Sequence, residues 1–168
     1  MQITMYRATV PVFARALRNL IAVLQKGEAN ATARKIDPAV ILSYRLAPDM
    51  FPLTRQVQIA TDMAKGCVSR LAGVEIPAWE DKEATFAELI ARVERCIAYV
   101  EGFGPLQIDG TEEKTVALKR PSGDLSLPGL RYLLEYVQPN VYFHSTTAYA
   151  ILRHCGVEIG KKDFIGPV

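Results

Sequence analysis

The chain has 168 residues, of which 20 are Lys or Arg and 18 are Asp or Glu, giving a formal net charge of +2 at pH 7. Its hydrophobic fraction of 49% and charged fraction of 23% are typical of a globular protein, so we expect one domain over residues 1–168 and exclude a disordered chain. The balanced charge argues against nucleic acid as a partner. Three cysteines are too few for a disulfide scaffold, and two histidines exclude a three-histidine metal site within one chain.

The sequence predicts a cytoplasmic protein without a membrane segment. The longest apolar-rich stretch, residues 10–24, is interrupted by two arginines and an asparagine, as in an amphipathic helix. The first residues lack a basic region followed by an apolar core, so no signal peptide is predicted. The cysteines lie far apart, each among apolar residues with helical spacing, which indicates buried, reduced thiols. They are Cys67, Cys96 and Cys155.

Helical periodicity begins at the N-terminus. Apolar residues recur there at steps of three and four, which predicts a long helix from about residue 4 to 26 that ends at Gly27. A later start near Val10, with Thr9 as N-cap and Pro11 in the first turn, is the alternative.

The second long helix follows a connection over residues 28–49, in which Asp37 and Pro38 predict a short helix up to residue 43. Asp49 is the expected N-cap of this second helix, and Gly73 the residue that ends it. A third helix is predicted from about Lys82 to Glu101.

Residues 102–128 have a different pattern. Two short β-like runs flank Pro121, Ser122 and Gly123, which predicts a small hairpin or a long loop. The last helical region is expected to break or kink at Pro139, and the tail from 157 to 168 to be extended. We expect Phe164 and Ile165 to pack the tail back onto the protein.

Four long helices with this hairpin or loop before the last one predict an all-α, up-down four-helix bundle. His144 shares the apolar face of the last helix, so it should point into the bundle. It is either a core histidine bonded to a neighbour, or a metal ligand or general base. His154 is ten residues away, about 80° and ~15 Å from it, so the two cannot share an ion. We interpret His154 as a cation at the helix C-terminus.

The polar residues expected near His144 are Gln56 from the second helix, Asn140 one turn earlier and Tyr149 on a flanking face. They are weak neutral ligands beside imidazole or carboxylate. His144 is therefore the candidate catalytic residue, and the other three are candidate cavity-lining or binding residues. The chain has no nucleophile-elbow, Walker or dinucleotide-binding motif.

Two stretches resemble a DinB-related family of uncharacterised bacterial and fungal proteins: LAPDMFPLTRQVQIA at 46–60 and PNVYFHSTTAYAILRHCGVEIGKKDFIG at 139–166. The resemblance implies a DinB/YfiT-like four-helix bundle, often a homodimer, and a divalent metal held by three histidines. Of the family's HxxxH pair, this sequence has only His144, with Asn140 four residues before it and Ala148 four after. The second-helix ligand position falls near Gln56 or Gln58.

The first functional hypothesis is a DinB-like bundle with a degenerate metal site, acting as a small-molecule-binding or dimeric non-catalytic protein. The alternative is a metal-dependent hydrolase or transferase that uses His144 in the bundle cavity. A third hypothesis is a bundle that binds a partner through an exposed apolar face. Metal content, the polarity around His144 and the oligomeric state distinguish them.

Overall fold

A computed structural model describes residues 3–119 and 123–167 and confirms the predicted four-helix bundle. In chain order the helices are α1 (Met5–Ala33), α2 (Pro38–Leu42), α3 (Leu53–Ala72), α4 (Phe86–Glu101), α5 (Pro105–Ile108), α6 (Gly129–Arg131), α7 (Gln138–His154) and α8 (Lys161–Ile165). The strands are β1 (Thr115–Leu118) and β2 (Leu125–Pro128), and a π-helical segment, Tyr132–Val137, joins α6 to α7. The long helices α1, α3, α4 and α7 enclose one core, in which α1 packs on α4 and α3 packs on both α4 and α7.

Helix α1 starts where the longer of the two predictions placed it. The Thr4 hydroxyl accepts a hydrogen bond from the backbone N–H of Arg7, which makes Thr4 the N-cap and rules out a start near Val10. The predicted end at Gly27 is wrong, because the helix continues to Ala33. A Cβ on Gly27 would lie 2.8 Å from Leu152 Cδ2, so this glycine allows α7 to approach closely instead of ending the helix.

The start of α3 differs from the prediction, and its end agrees. Asp49 is not its N-cap, because residues 48–49 form a turn and the helix begins only at Leu53, with Pro52 as its N-cap. Gly73, with φ of +75°, ends the helix as predicted.

Helix α4 begins at Phe86, four residues later than predicted. The Thr85 hydroxyl accepts from the N–H of Glu88, and the Glu88 carboxylate accepts from the N–H of Thr85. This reciprocal capping box fixes the helix start and leaves residues 74–84 as a loop.

The predicted hairpin is present: β1 and β2 pair antiparallel, with Thr115 opposite Pro128 and Leu118 opposite Leu125. The predicted turn residues Pro121 and Ser122 lie outside the described residues. Val116 and Leu118 are buried, so the hairpin covers part of the core. The short helix α5 before it was not predicted.

The predicted break at Pro139 is wrong, because the helix continues through this residue. Gln138 has helical angles of −57° and −47°, and Pro139 lies in the first turn of α7. The π-helical segment ends directly before Gln138. Such a wider turn lets a helix accommodate a proline, which lacks an N–H, without interruption.

The tail packs back as expected but is not fully extended. After Gly156 ends α7, the chain returns to α1 and forms α8. Phe164 is half-buried with its ring 6.0 Å from that of Tyr149, whereas Ile165 stays 40% exposed. Within residues 3–119 and 123–167, no helix is both long and apolar enough to cross a bilayer.

We predict that Gly129→Ala destabilises the fold by about 1–3 kcal/mol, the usual cost of overpacking. Gly129 is buried, and a Cβ there would lie 2.0 Å from the carbonyl oxygen of Thr111, so the backbone must shift. Gly104→Ala is the control, because nothing lies within 4 Å of its Cβ position. Urea unfolding of the two variants measures the difference, and equal stabilities would contradict the prediction.

Candidate functional site

His144 lies on α7 and faces α3, as its position in the apolar pattern predicts. It is 8% exposed, and its Nδ1 lies 2.7 Å from Oε1 of Gln56. Gln56 is itself buried and donates its side-chain N–H to the carbonyl of Phe51 at 2.9 Å. The predicted contact between these two helices through His144 and Gln56 is therefore present.

These bonds fix the tautomer of His144. Since the Gln56 amide nitrogen donates to Phe51, its oxygen faces the imidazole and accepts the proton of Nδ1. The lone pair of His144 is then on Nε2, the nitrogen that a metal or a proton would use. Histidines that bind a metal through one ring nitrogen also usually donate a hydrogen bond from the N–H of the other ring nitrogen, as His144 does from Nδ1.

The electrostatics around His144 oppose a cation. Burial, and then the positive charge of Arg55, lower the pKa of His144 below its ordinary value. The charge that disfavours an imidazolium also disfavours a divalent ion at Nε2. His144 is thus held as a neutral imidazole.

The two other predicted site residues do not join His144. Asn140 donates back to the carbonyl of Tyr136 on its own helix at 2.6 Å. The Tyr149 hydroxyl lies 3.4 Å from the carbonyl of Ile159 in the tail segment. Asn140 and Tyr149 therefore stabilise the C-terminal helix and the tail, and neither has a bond that points into a shared cavity with His144.

The donor set does not fit the divalent metal that the family resemblance implies. Gln58, the other candidate on α3, donates to Glu83 at 2.8 Å and faces a different part of the bundle. Within the described residues, no group of three or more His, Cys, Asp or Glu is placed to hold an ion. One imidazole and a neutral amide, next to an arginine, are a poor site for such an ion.

His154, which the sequence analysis interpreted as a cation at the helix C-terminus, contacts a tyrosine of the α2–α3 connection. Its Nε2 lies 3.0 Å from the hydroxyl of Tyr44, and the two rings are 5.4 Å apart. This contact ties the α2–α3 connection to the C-terminal end of α7.

The cysteines are free thiols, and two of the three are buried as predicted: Cys67 and Cys96. Burial raises the pKa of Cys67 and raises that of Cys96 to about 12. Cys155 is only partly buried, because it is the C-cap of α7, and its pKa is also raised by burial. Thiols with raised pKa values are poor nucleophiles.

A charged cluster around a buried arginine, which the sequence analysis missed, lies between α3, α4 and the loop at 74–84. We name it the Arg92 network: Arg92, Asp62, Lys65, Asp81 and Glu83. The Arg92 side chain is only 2% exposed and contacts Asp62, Asp81 and Glu83 at 3.0, 2.9 and 3.0 Å. It also donates to the Thr61 hydroxyl at 2.9 Å. The helical spacing could have indicated that Arg92 is buried, because it follows Leu89 by three residues and precedes Cys96 by four, on the apolar face of α4.

The Arg92 network positions the one tryptophan of the chain. The ammonium of Lys65 and the guanidinium of Arg95 each lie 4.4 Å from the Trp79 ring centroid. Burial would raise the pKa of Glu83, but hydrogen bonds from Gln58 and Arg92 outweigh it and lower that pKa. The carboxylate therefore stays ionised, and the network fastens the loop to the bundle.

A pocket of about 330 Å³ lies between α1 and α7 and is closed on one side by the tail. Its walls are mostly apolar, and Arg15, Asn19, Tyr142 and Ser145 supply the polar groups. The lining residues are Val12, Arg15, Ala16, Asn19, Leu20, Val23, Tyr142, Ser145, Phe164 and Ile165. We call this the α1/α7 pocket.

Ser145 is the unusual residue of the α1/α7 pocket. It is 3% exposed, and its hydroxyl has no hydrogen-bond partner within the described chain. The sequence analysis missed it, although its small side chain lies four residues after Val141 and three before Ala148, both in the core. His144 is adjacent in sequence but points about 100° away around the helix.

Comparisons with known proteins agree with the fold. A family described as "Domain of unknown function (DUF1993)" matches residues 5–165. Among solved structures, the chain is similar to a DinB family member protein from Shewanella denitrificans, with 44% identity and a TM-score of 0.88. That match covers 97% of this chain and 92% of the other. A search of curated proteins found no match.

We predict that His144 makes stability fall as the solution is acidified. Its folded pKa lies below the ordinary value of 6.5, so below that pH the unfolded chain binds the proton more readily. The contribution of His144 to the free energy of unfolding is fully present above pH 6.5 and is lost as the pH falls below that value. Urea unfolding between pH 7.5 and 5.5 should show a shallower loss for His144→Gln than for the wild type.

The control replaces the exposed His154 by glutamine in the same way, and the slopes of the two variants are compared. A His144→Gln variant with the wild-type slope would show that His144 is not held neutral by its surroundings.

We also predict that Arg92→Gln lowers the free energy of unfolding by about 1–3 kcal/mol, because it removes charged hydrogen bonds to Asp62, Asp81 and Glu83, whose carboxylates water reaches in part. Trp79 emission should shift to the red as the loop loosens. Arg18→Gln is the control: its pair with Glu101 is exposed and contributes at most about 1 kcal/mol. An Arg92→Gln variant with wild-type emission and stability would contradict the proposed role of the network.

Proposed function

We propose that this chain, which belongs to the DUF1993 family and has the DinB fold, is a non-catalytic bundle that binds a small molecule in the α1/α7 pocket. The observation that carries the proposal is the buried hydroxyl of Ser145. A hydroxyl left unpaired in an apolar environment costs about 1–3 kcal/mol, and a polar atom of a bound molecule would satisfy it.

Other helical hydroxyls of the chain avoid this cost. Thr9, Ser69 and Thr147 donate to the carbonyl four residues earlier at 2.6, 2.9 and 2.8 Å. Such a bond is the usual solution for a hydroxyl inside a helix. Ser145 makes no such bond and lines the pocket instead.

The size and lining of the pocket suit a small ligand. Ligand sites are typically concave, mostly apolar and larger than about 300 Å³, with a few polar groups that orient the ligand. A volume of about 330 Å³ meets this description. It is about twice that of a ~150 Å³ cavity able to hold benzene, so it has room for roughly a dozen non-hydrogen atoms.

The non-catalytic part of the proposal rests on His144. Its Nδ1 is bonded to Gln56, and Arg55 opposes positive charge at its free nitrogen. The alternative, a metal-dependent hydrolase or transferase, needs strong ligands that the residues around His144 do not supply. The homodimer implied by the family stays a prediction, which sedimentation velocity tests.

The unpaired hydroxyl predicts opposite effects for two serine-to-alanine changes. Ser145→Ala should raise the free energy of unfolding of the ligand-free protein by about 1 kcal/mol or more, because it removes an unsatisfied group. Ser69→Ala should lower it by about 1 kcal/mol, because Ser69 bonds Lys65 and Tyr99 in the core. Urea unfolding measures both, and a loss of stability in Ser145→Ala would contradict the assignment.

Binding itself is tested with a library of small aromatic and aliphatic compounds, using protein NMR. Compounds should perturb residues of α1 and α7, and Ala16→Phe should abolish the effect by filling the pocket. Ala22→Phe, at an exposed position of α1 that does not line the pocket, is the matched control. A library without binders, or binding unaffected by Ala16→Phe, would refute the proposed function.

A further inference from the structure

The charged groups that line the α1/α7 pocket are all positive. Arg15 is the only ionised side chain among the lining residues, and it lies exposed at the rim, whereas Ser145 is buried. No carboxylate of the described residues forms an ion pair with Arg15. The other lining residues are neutral, so within residues 3–119 and 123–167 the pocket presents one positive charge without a carboxylate partner, beside an apolar interior.

Arg15 is held in place by the tail. Its Nη2 donates to the carbonyl of Ile165 at 3.3 Å and to that of Pro167 at 3.0 Å. Asn19 donates to the same Ile165 carbonyl at 2.7 Å. These neutral acceptors orient the guanidinium without neutralising it, and they use one of its nitrogens, while a guanidinium has five N–H donors.

We infer that the ligand of the α1/α7 pocket is a small monocarboxylate with an apolar body, its carboxylate paired with Arg15 and a second polar atom facing Ser145. This inference rests on the proposed function and names the ligand class. The apolar body would lie against Val12, Ala16 and Leu20. Planar carboxylates match the guanidinium fork, and charge-assisted hydrogen bonds are roughly twice as strong as neutral ones.

The test compares benzoate with benzamide, which has the same shape but no charge, by isothermal titration calorimetry. We expect benzoate to bind the wild type about tenfold more tightly. Added sodium chloride should weaken the binding of benzoate and leave that of benzamide unchanged. 4-Hydroxybenzoate, with a second polar atom opposite its carboxylate, should bind more tightly than benzoate, and Ser145→Ala should remove that gain.

Three arginine variants test the charge. Arg15→Gln should bring the ratio of the two affinities to about one, and Arg15→Lys should keep most of the preference because it keeps the charge. Arg18→Gln, one turn along α1 and outside the pocket, is the control and should keep the wild-type ratio. Because Arg15 also holds the tail, Arg15→Lys separates loss of charge from loss of structure.

Two outcomes would overturn the inference alone: equal binding of benzoate and benzamide, or a preference that survives Arg15→Gln. Failure of both probes while uncharged compounds bind in a manner abolished by Ala16→Phe would also overturn the ligand class and leave the proposed function standing. Failure of the probes together with an empty compound screen would overturn both.

Discussion

The fold depends most on one buried guanidinium. The Arg92 side chain, 2% exposed, is surrounded by three carboxylates that come from α3 and from the loop at 74–84. Because a buried guanidinium needs its charge-paired hydrogen bonds, α3, α4 and the loop must keep their relative positions. The cluster gives this side of the bundle its polar contacts and fixes Trp79 between Lys65 and Arg95.

The opposite side of the bundle is organised differently. Between α1 and α7 the contacts are mostly apolar, with a hydrogen bond from the Gln138 side chain to the carbonyl of Ala8. The tail is fastened by hydrogen bonds from Arg15 and Asn19 to backbone carbonyls. These bonds close the side of a pocket without filling it. The bundle thus keeps its strongest electrostatic contacts away from the pocket, and a bound molecule at α1/α7 would not compete with the Arg92 network.

Helix periodicity was enough to predict the bundle and the contact of His144 with α3, and two short β-like runs predicted the hairpin. Helix boundaries were predicted wrongly where a residue type that often ends a helix has another structural role. Gly27 has the residue type of a helix end but is a close-packing position against Leu152, and Pro139 is accommodated by the π-helical segment before it. Arg92 and Ser145 were missed because both are polar residues in core positions, and sequence alone does not show whether such a residue finds a partner.

Two neighbouring residues of α7 show why the partner decides the role. His144 and Ser145 are both buried, one helical step of about 100° apart, so they face different helices. His144 meets the amide oxygen of Gln56 and the field of Arg55, which satisfy its N–H and keep it neutral. Ser145 meets apolar walls and an arginine at the rim. His144, the residue with more catalytic chemistry, therefore already has a hydrogen-bond partner. The Ser145 hydroxyl beside it has none within the described residues and is available to a ligand.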